Sequence, residues 1–273
     1  MSNFSAESGA QLVARITSNL RPTLEGLNKH LFPNYGPKPM EAIEISGGVN
    51  VGKTLLLLEI IAQTILPTDY DGKGISVIFI DLNANFPMFM LMSILEKHVL
   101  HHKMKTNATA DTEELCAATS NVQEIVHAAL KNIISFNCFS GEEFEFALIN
   151  VTEMLSTRQD IGLLAIDSLG AFYWTDRTAA NPKRMDTYLG GLVERLHKIT
   201  SDHRAVLIYT KSTFFGNKGT FYDKQIDYRI ELIDRSPDKF ERFDANINYK
   251  GKLLVRDYAI NRFGIKWLDS NKI

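Results

Sequence analysis

The stretch SGGVNVGKTLLL, from Ser46 to Leu57, decides how the rest of this sequence is read. Gly47, Gly52, Lys53 and Thr54 carry the spacing of a phosphate-binding loop: a glycine, four free positions, then Gly-Lys-Ser/Thr. Glycine lets the backbone curl so that successive N–H groups point at one anion, and the positive end of the following helix adds to the field. The expected nucleotide contacts are Gly47, Gly48, Val49, Asn50, Val51, Gly52, Lys53, Thr54 and Leu55. Lys53 would reach the outer phosphates of ATP. The Thr54 hydroxyl is a hard oxygen ligand of the kind that suits Mg2+.

A spacing match of this kind needs the right flanks. Ahead of it, AIEI (Ala42–Ile45) is a short β-prone run. Behind it, TLLLLEIIAQTIL (Thr54–Leu66) is apolar nearly all round, as a buried helix is. Strand, loop and helix is the setting that the motif requires.

At 273 residues the chain has room for one large α/β domain. Thirty Lys and Arg against 32 Asp and Glu leave a net charge of −2, so no global field draws in nucleic acid. Cys116 and Cys138 are too few for a disulfide framework or a structural zinc site, which points to a reducing, intracellular setting. The N-terminus lacks the apolar core of a secretory signal, and the longest hydrophobic run is broken by Glu59 and Gln63.

Leu12, Val13, Ile16 and Leu20 recur at helical spacing over 7–20, and four prolines between 22 and 39 then mark an irregular approach to the first strand. Residues 1–40 thus form an N-terminal segment and 41–273 the core. From there strands and helices alternate: strand 75–82, helix 86–104, helix 121–132, strand 133–139, helix 141–157, strand 161–168, then a helix opening at Asn181 and Pro182, and strand 205–210. That rhythm predicts a mostly parallel central sheet with helices on both faces. Three strand-prone runs, 227–233, 244–249 and 252–260, ending in a turn at Gly264, predict an antiparallel C-terminal extension.

The apolar run IGLLAIDS (161–168) ends in Asp167, at the C-terminal edge where open α/β sheets bind ligands. Its carboxylate is the second expected metal-site residue, alongside Thr54. Hydrolysis also needs a group that orients or deprotonates water. The strand ending FIDLNANF (79–86) offers Asp81 and Asn83, which share a strand face about 7 Å apart and so cannot replace each other without a register shift.

Together these residues resemble the RecA-type recombinase fold, and specifically the eukaryotic recombinase paralogues, from the phosphate loop to the C-terminus. LLAIDSLGAFYWTDR (163–177) is similar to the family's magnesium-site strand, and YAINRFGI (258–265) to its terminal hairpin. The resemblance implies a nuclear protein acting in homologous recombination and DNA repair, within a hetero-oligomer of paralogues that assists the strand-exchange recombinase. It also marks two departures. Active members carry Glu where this chain has Asn83, and an amide cannot act as a base; its loss costs about 10² to 10⁴ in rate. Active members place a Gln after the next strand, where this chain has Ser212, or Lys211 if the alignment slips by one. The expectation is an ATP-binding adaptor with weak or absent hydrolysis. Asp81 stays open as an alternative base.

In the family two loops contact DNA, corresponding here to 174–184 and 213–224. Arg177, Lys183, Arg184 and Lys218 are the candidate DNA contacts, interleaved with aromatics such as Trp174, Phe214 and Tyr222. Stacking on single strands contributes roughly 1 to 3 kcal/mol per base. Solvated loops around a few core aromatics fit the near-neutral chain equally well, so weak binding to single-stranded or branched DNA is expected. Helix 7–20 is a candidate docking segment for a neighbouring paralogue, or a helix that packs on its own core, since one apolar stripe says only that something covers it. His98, His101 and His102 read as a solvated helix end rather than metal ligands, since no carboxylate or cysteine stands at ligand spacing. The competing activities are a DNA-dependent ATPase with strand exchange and a phosphate-loop small-molecule kinase. Against the kinase stand the lack of a glycine between Gly48 and Gly52 and the strand-rich tail.

Overall fold

The computed structural model describes residues 21–32, 35–83, 87–106, 112–177, 184–213, 225–235, 242–261 and 264–268, with backbone only for 106 and 112–120. The expected helix 7–20 lies outside the described residues. The first elements are β1 (Ala42–Gly47), α1 (Lys53–Ile65), β2 (Ser76–Asp81), α2 (Met88–Thr106), α3 (Thr112–Leu130) and β3 (Ile133–Asn137). Then come α4 (Gly141–Thr157), β4 (Ile161–Asp167), a single turn α5 (Tyr173–Asp176), α6 (Met185–Asp202) and β5 (Val206–Ser212). β6 (Tyr228–Asp234), β7 (Arg242–Tyr249), β8 (Lys252–Asn261) and β9 (Gly264–Leu268) close the chain.

The described strands form one sheet in the order β3-β2-β4-β5-β1-β6-β7-β8-β9. Pairing is parallel from β3 through β6 and antiparallel from β6 through β9. β1, β2 and β4 are buried along their whole length, as strands covered on both faces must be. Strand alternation splits their side chains between two cores. Ile43, Ile45, Val77, Phe79, Leu163, Ala165 and Ile208 meet α1, where Leu56, Leu57, Ile60 and Ile61 are fully enclosed. Ile78, Ile80, Leu164, Ile166 and Leu207 meet α4 and α6 on the other face. Burying each such side chain contributes roughly 1.5–3 kcal/mol.

The segment ahead of β1 joins the main core through Leu24, Leu27, Leu31 and Phe32. Arg21 anchors it. Its guanidinium donates to the carbonyls of Arg158 at 2.9 Å and Ile161 at 2.6 Å, and also to those of Leu155 and His203. Leu155 lies in the last turn of α4, whose orphan carbonyls carry partial negative charge.

Several boundaries differ from the sequence reading. α3 starts at Thr112 and stops at Leu130, a longer helix than the one expected over 121–132. α6 starts at Met185, after an extended Arg184, so Asn181 and Pro182, which lie outside the described residues, do not open it. Gly264 is not the end of the sheet: with φ at +116° it closes the β8–β9 turn and begins a further strand, whose Ile265 is buried and Lys266 exposed. Glycine suits that positive φ, and an added Cβ would also press on the Glu59 carboxylate, 2.4 Å away. Among the described residues no helix is long and apolar enough to cross a membrane.

Candidate functional site

The loop between β1 and α1 turns on two residues in left-handed conformation, Asn50 and Gly52. At Gly52 a side chain would also meet Ile260 of β8, its Cβ 2.9 Å from the isoleucine Cδ1. Gly47 ends β1 beside Ser212, Gly48 faces open space, and Val49 is exposed. Val51 and Leu55 turn their side chains into the main core, leaving only backbone to serve an anion.

Asn50, Gly52, Lys53, Thr54 and Leu55 line one side of a cavity of about 440 Å³. Phe79, Asp81, Asn83 and Asp167, at the C-terminal ends of β2 and β4, line the other. The Thr54 hydroxyl donates to Asp167 Oδ2 at 2.6 Å, while Thr210 of β5 donates to Oδ1. Asp167, buried to 5% exposure, thus has both oxygens engaged by hydroxyls. The Lys53 ammonium donates to the Gly48 carbonyl across the loop. Burial holds the Lys53 pKa below the ordinary lysine value, opposed by the nearby Asp167 charge.

Asp81 and Asp167 sit side by side in paired β2 and β4. Asn83 does not continue the strand. β2 ends at Asp81, whose carboxylate accepts the Asn83 N–H at 2.8 Å and closes a turn. The expected shared strand face does not extend to Asn83, which lies past the strand end, yet both residues line the same cavity. Asn83 is exposed at the rim and its side-chain oxygen lies 3.5 Å from the Ser168 hydroxyl, while Asp81 is buried at 2%.

Strand alternation sends Ser212 and Lys211 to opposite faces of the sheet. Lys211 shares the face of Tyr209 and turns to Glu44, its ammonium 3.0 Å from Oε1, while the Tyr209 hydroxyl donates to Oε2 at 2.8 Å. Ser212 shares the face of Thr210, toward Asp167. Glu44 is a buried carboxylate that the sequence reading did not single out.

The structure brings Lys53, Thr54 and Asp167 together. Of the expected DNA contacts it describes two. Lys183 and Lys218 lie outside the described residues. Arg177 and Arg184 are exposed, and the Arg177 guanidinium lies 5.8 Å from the Trp174 ring centroid. Asp176 of α5 accepts from the Tyr188 hydroxyl at 2.8 Å, which fixes that turn to α6. Among the described residues no cluster of three or more His, Cys, Asp or Glu is arranged to hold a metal ion. His98 is not simply solvated, since its Nε2 lies 2.9 Å from Glu59 Oε2 and Lys97 lies 3.1 Å from Oε1. The missing carboxylate came from α1, a different helix, where spacing along α2 cannot reveal it.

The donor set suits a magnesium nucleotide. Hydroxyl and carboxylate oxygens of Thr54 and Asp167 are hard ligands, and the loop offers backbone and one ammonium to phosphate.

No family model matches the chain. It is 27% identical over 208 residues to DNA repair protein XRCC2 of Mus musculus, covering 75% of this chain and 67% of that protein. It is 25% identical over 250 residues to the DNA repair protein XRCC2 homolog of Arabidopsis thaliana, covering 81% and 66% respectively. With DNA repair protein RAD51 homolog 3 of Cricetulus griseus it shares 22% identity over 171 residues, 63% of this chain and 45% of that protein. The match thus spans about two thirds of each XRCC2 relative. With the phosphate loop, Asp167 and the mixed sheet in place, these similarities put the chain among the RecA-type eukaryotic recombinase paralogues, as an XRCC2-like member.

Proposed function

We propose that this chain binds ATP with Mg2+ at the phosphate loop and hydrolyses it weakly or not at all. In this reading it works in the nucleus as an adaptor subunit, in a hetero-oligomer of recombinase paralogues that repairs DNA by homologous recombination. The observation that carries the reading is the convergence of Lys53, Thr54 and Asp167 on one cavity whose rim bears Asn83. The loop amides and Lys53 would hold the phosphates, the ammonium exchanging the Gly48 carbonyl for phosphate oxygens. Thr54 and Asp167 would hold the metal, which offsets phosphate charge when bound. Asn83 can orient a water by hydrogen bonding but cannot take its proton.

A DNA-dependent ATPase is the second reading, and one observation favours it. Asp81 is a carboxylate inside the same cavity. Against it, that carboxylate is committed to the Asn83 N–H in closing the turn. DNA contact by the isolated chain is expected to be weak, resting on exposed Arg177 and Arg184.

The test is ATP binding by the full chain and by Lys53→Ala, in calorimetry with Mg2+, together with co-purification with coexpressed paralogues. Binding that Lys53→Ala weakens, and a stable hetero-oligomer, are expected. A chain that binds no nucleotide, or remains alone among the paralogues, would overturn the reading.

A further inference from the structure

The phosphate loop does not stand by itself. The β8–β9 hairpin crosses behind it and touches it at consecutive points. Tyr258 of β8 is fully buried, and its hydroxyl donates to the Val51 carbonyl at 2.7 Å. Two residues on, Ile260 packs against Gly52 and lines the cavity. Beyond the turn, Gly264 fits against Glu59 of α1, the helix that the loop opens. The Tyr258 ring is itself fixed, stacked on Phe243 with centroids 5.3 Å apart and tilted against Trp267 at 5.6 Å.

The Val51 carbonyl and the Gly52 N–H belong to one peptide plane, and in a trans peptide they point in opposite directions. A hydroxyl that holds the carbonyl toward β8 therefore turns the Gly52 N–H away from β8. Gly52 lines the cavity, and the N–H groups beside Lys53 are the donors that a phosphate loop presents to its anion. Left-handed Gly52 has no side chain to restrain it, so the peptide plane needs an external hold.

We propose that Tyr258 is a positioning residue for nucleotide binding: its hydroxyl fixes the Val51–Gly52 peptide so that the loop amides are preset for phosphate. The inference rests on the nucleotide reading above and adds a part to it. The sheet extension is then more than an edge cover. It transmits the order of the C-terminal hairpin to the phosphate site, and a free loop would have to lose that freedom on binding.

The test compares Tyr258→Phe with Tyr209→Phe in the full chain. Both remove one buried hydroxyl, but the Tyr209 hydroxyl serves Glu44 on the opposite face of the sheet. Two readouts are taken below the unfolding transition of both variants: calorimetric affinity for Mg·ATP, and amide hydrogen exchange of residues 48–53 without nucleotide. Tyr258→Phe should weaken affinity roughly three- to tenfold, the scale of one lost hydrogen bond, and speed exchange in the loop. Tyr209→Phe should do neither. Unchanged affinity and exchange in Tyr258→Phe would overturn the inference while leaving the nucleotide reading intact. Equal effects from both variants would overturn it too, as a sign of general destabilisation. A parent chain that binds no ATP overturns the nucleotide reading, and with it the role of Tyr258 in binding.

Discussion

Thr54 and Asp167 stand 113 residues apart in the chain, yet the threonine hydroxyl donates to the aspartate Oδ2 at 2.6 Å. One opens α1 and the other closes β4, so the bond spans the cleft at the C-terminal edge of the sheet. Asp167→Asn keeps an acceptor for Thr54 but removes the charge. Affinity for Mg·ATP should fall about tenfold or more, the lower end expected for losing a charged partner, while affinity for ATP in EDTA changes little. Calorimetry with and without Mg2+ checks this. Equal losses in both conditions would remove Asp167 from the metal site.

Arg21 fastens the segment ahead of β1 to four carbonyls. Arg21→Ala should lower unfolding stability by about 3 kcal/mol, because buried carbonyls at the end of α4 lose charged donors. Arg21→Lys should recover little of it, since an ammonium lacks the fixed fork of a guanidinium. Urea unfolding decides. A loss within about 0.5 kcal/mol, the scatter of ordinary surface changes, would show that the anchor contributes nothing.

Glu59 gives the fold a pH dependence. Burial raises its pKa, but His98 and Lys97 outweigh that, and the net value lies below the usual glutamate range. A carboxylate lowered on folding contributes stability above its unfolded pKa of about 4.3, and that contribution is lost as pH falls through the folded value. Glu59→Gln should therefore cost about 1.5 to 3 kcal/mol at pH 7, the scale of a hydrogen bond to a charged group, since Lys97 and His98 are partly exposed. The gap to the parent should narrow below about pH 4. Urea unfolding from pH 7 to pH 3 checks it, and a gap that does not move with pH would refute the ion pair.

Local chemistry was legible in the sequence, and contacts across the chain were not. The phosphate loop is contiguous, so its glycines, Lys53 and Thr54 announce themselves at fixed offsets. Asp167 shows as an acid ending an apolar run. The alternation through 252–260 predicted β8, but nothing in that pattern says that Tyr258 meets Val51, 207 residues earlier. Arg21 was hidden for the same reason, its carbonyl partners being backbone and without a side-chain signature. Asn83 was placed on the strand face of Asp81 because the strand was carried two residues past its end, where the Asn83 N–H turns back to the Asp81 carboxylate. The residue pattern alone gave no last strand, because Gly264 reads as a terminator; only the resemblance of 258–265 to a terminal hairpin implied one.

Either the amide at the cavity rim or the carboxylate beneath it governs the chemistry. The most direct measurement is ATP turnover, with and without single-stranded DNA, for the full parent chain, Asn83→Glu and Asp81→Asn. The expected result is slow, DNA-insensitive turnover in the parent, about the same in Asp81→Asn, and a gain of at least about tenfold in Asn83→Glu, a conservative share of general-base assistance. Fast DNA-stimulated turnover in the parent that Asp81→Asn abolishes would contradict it.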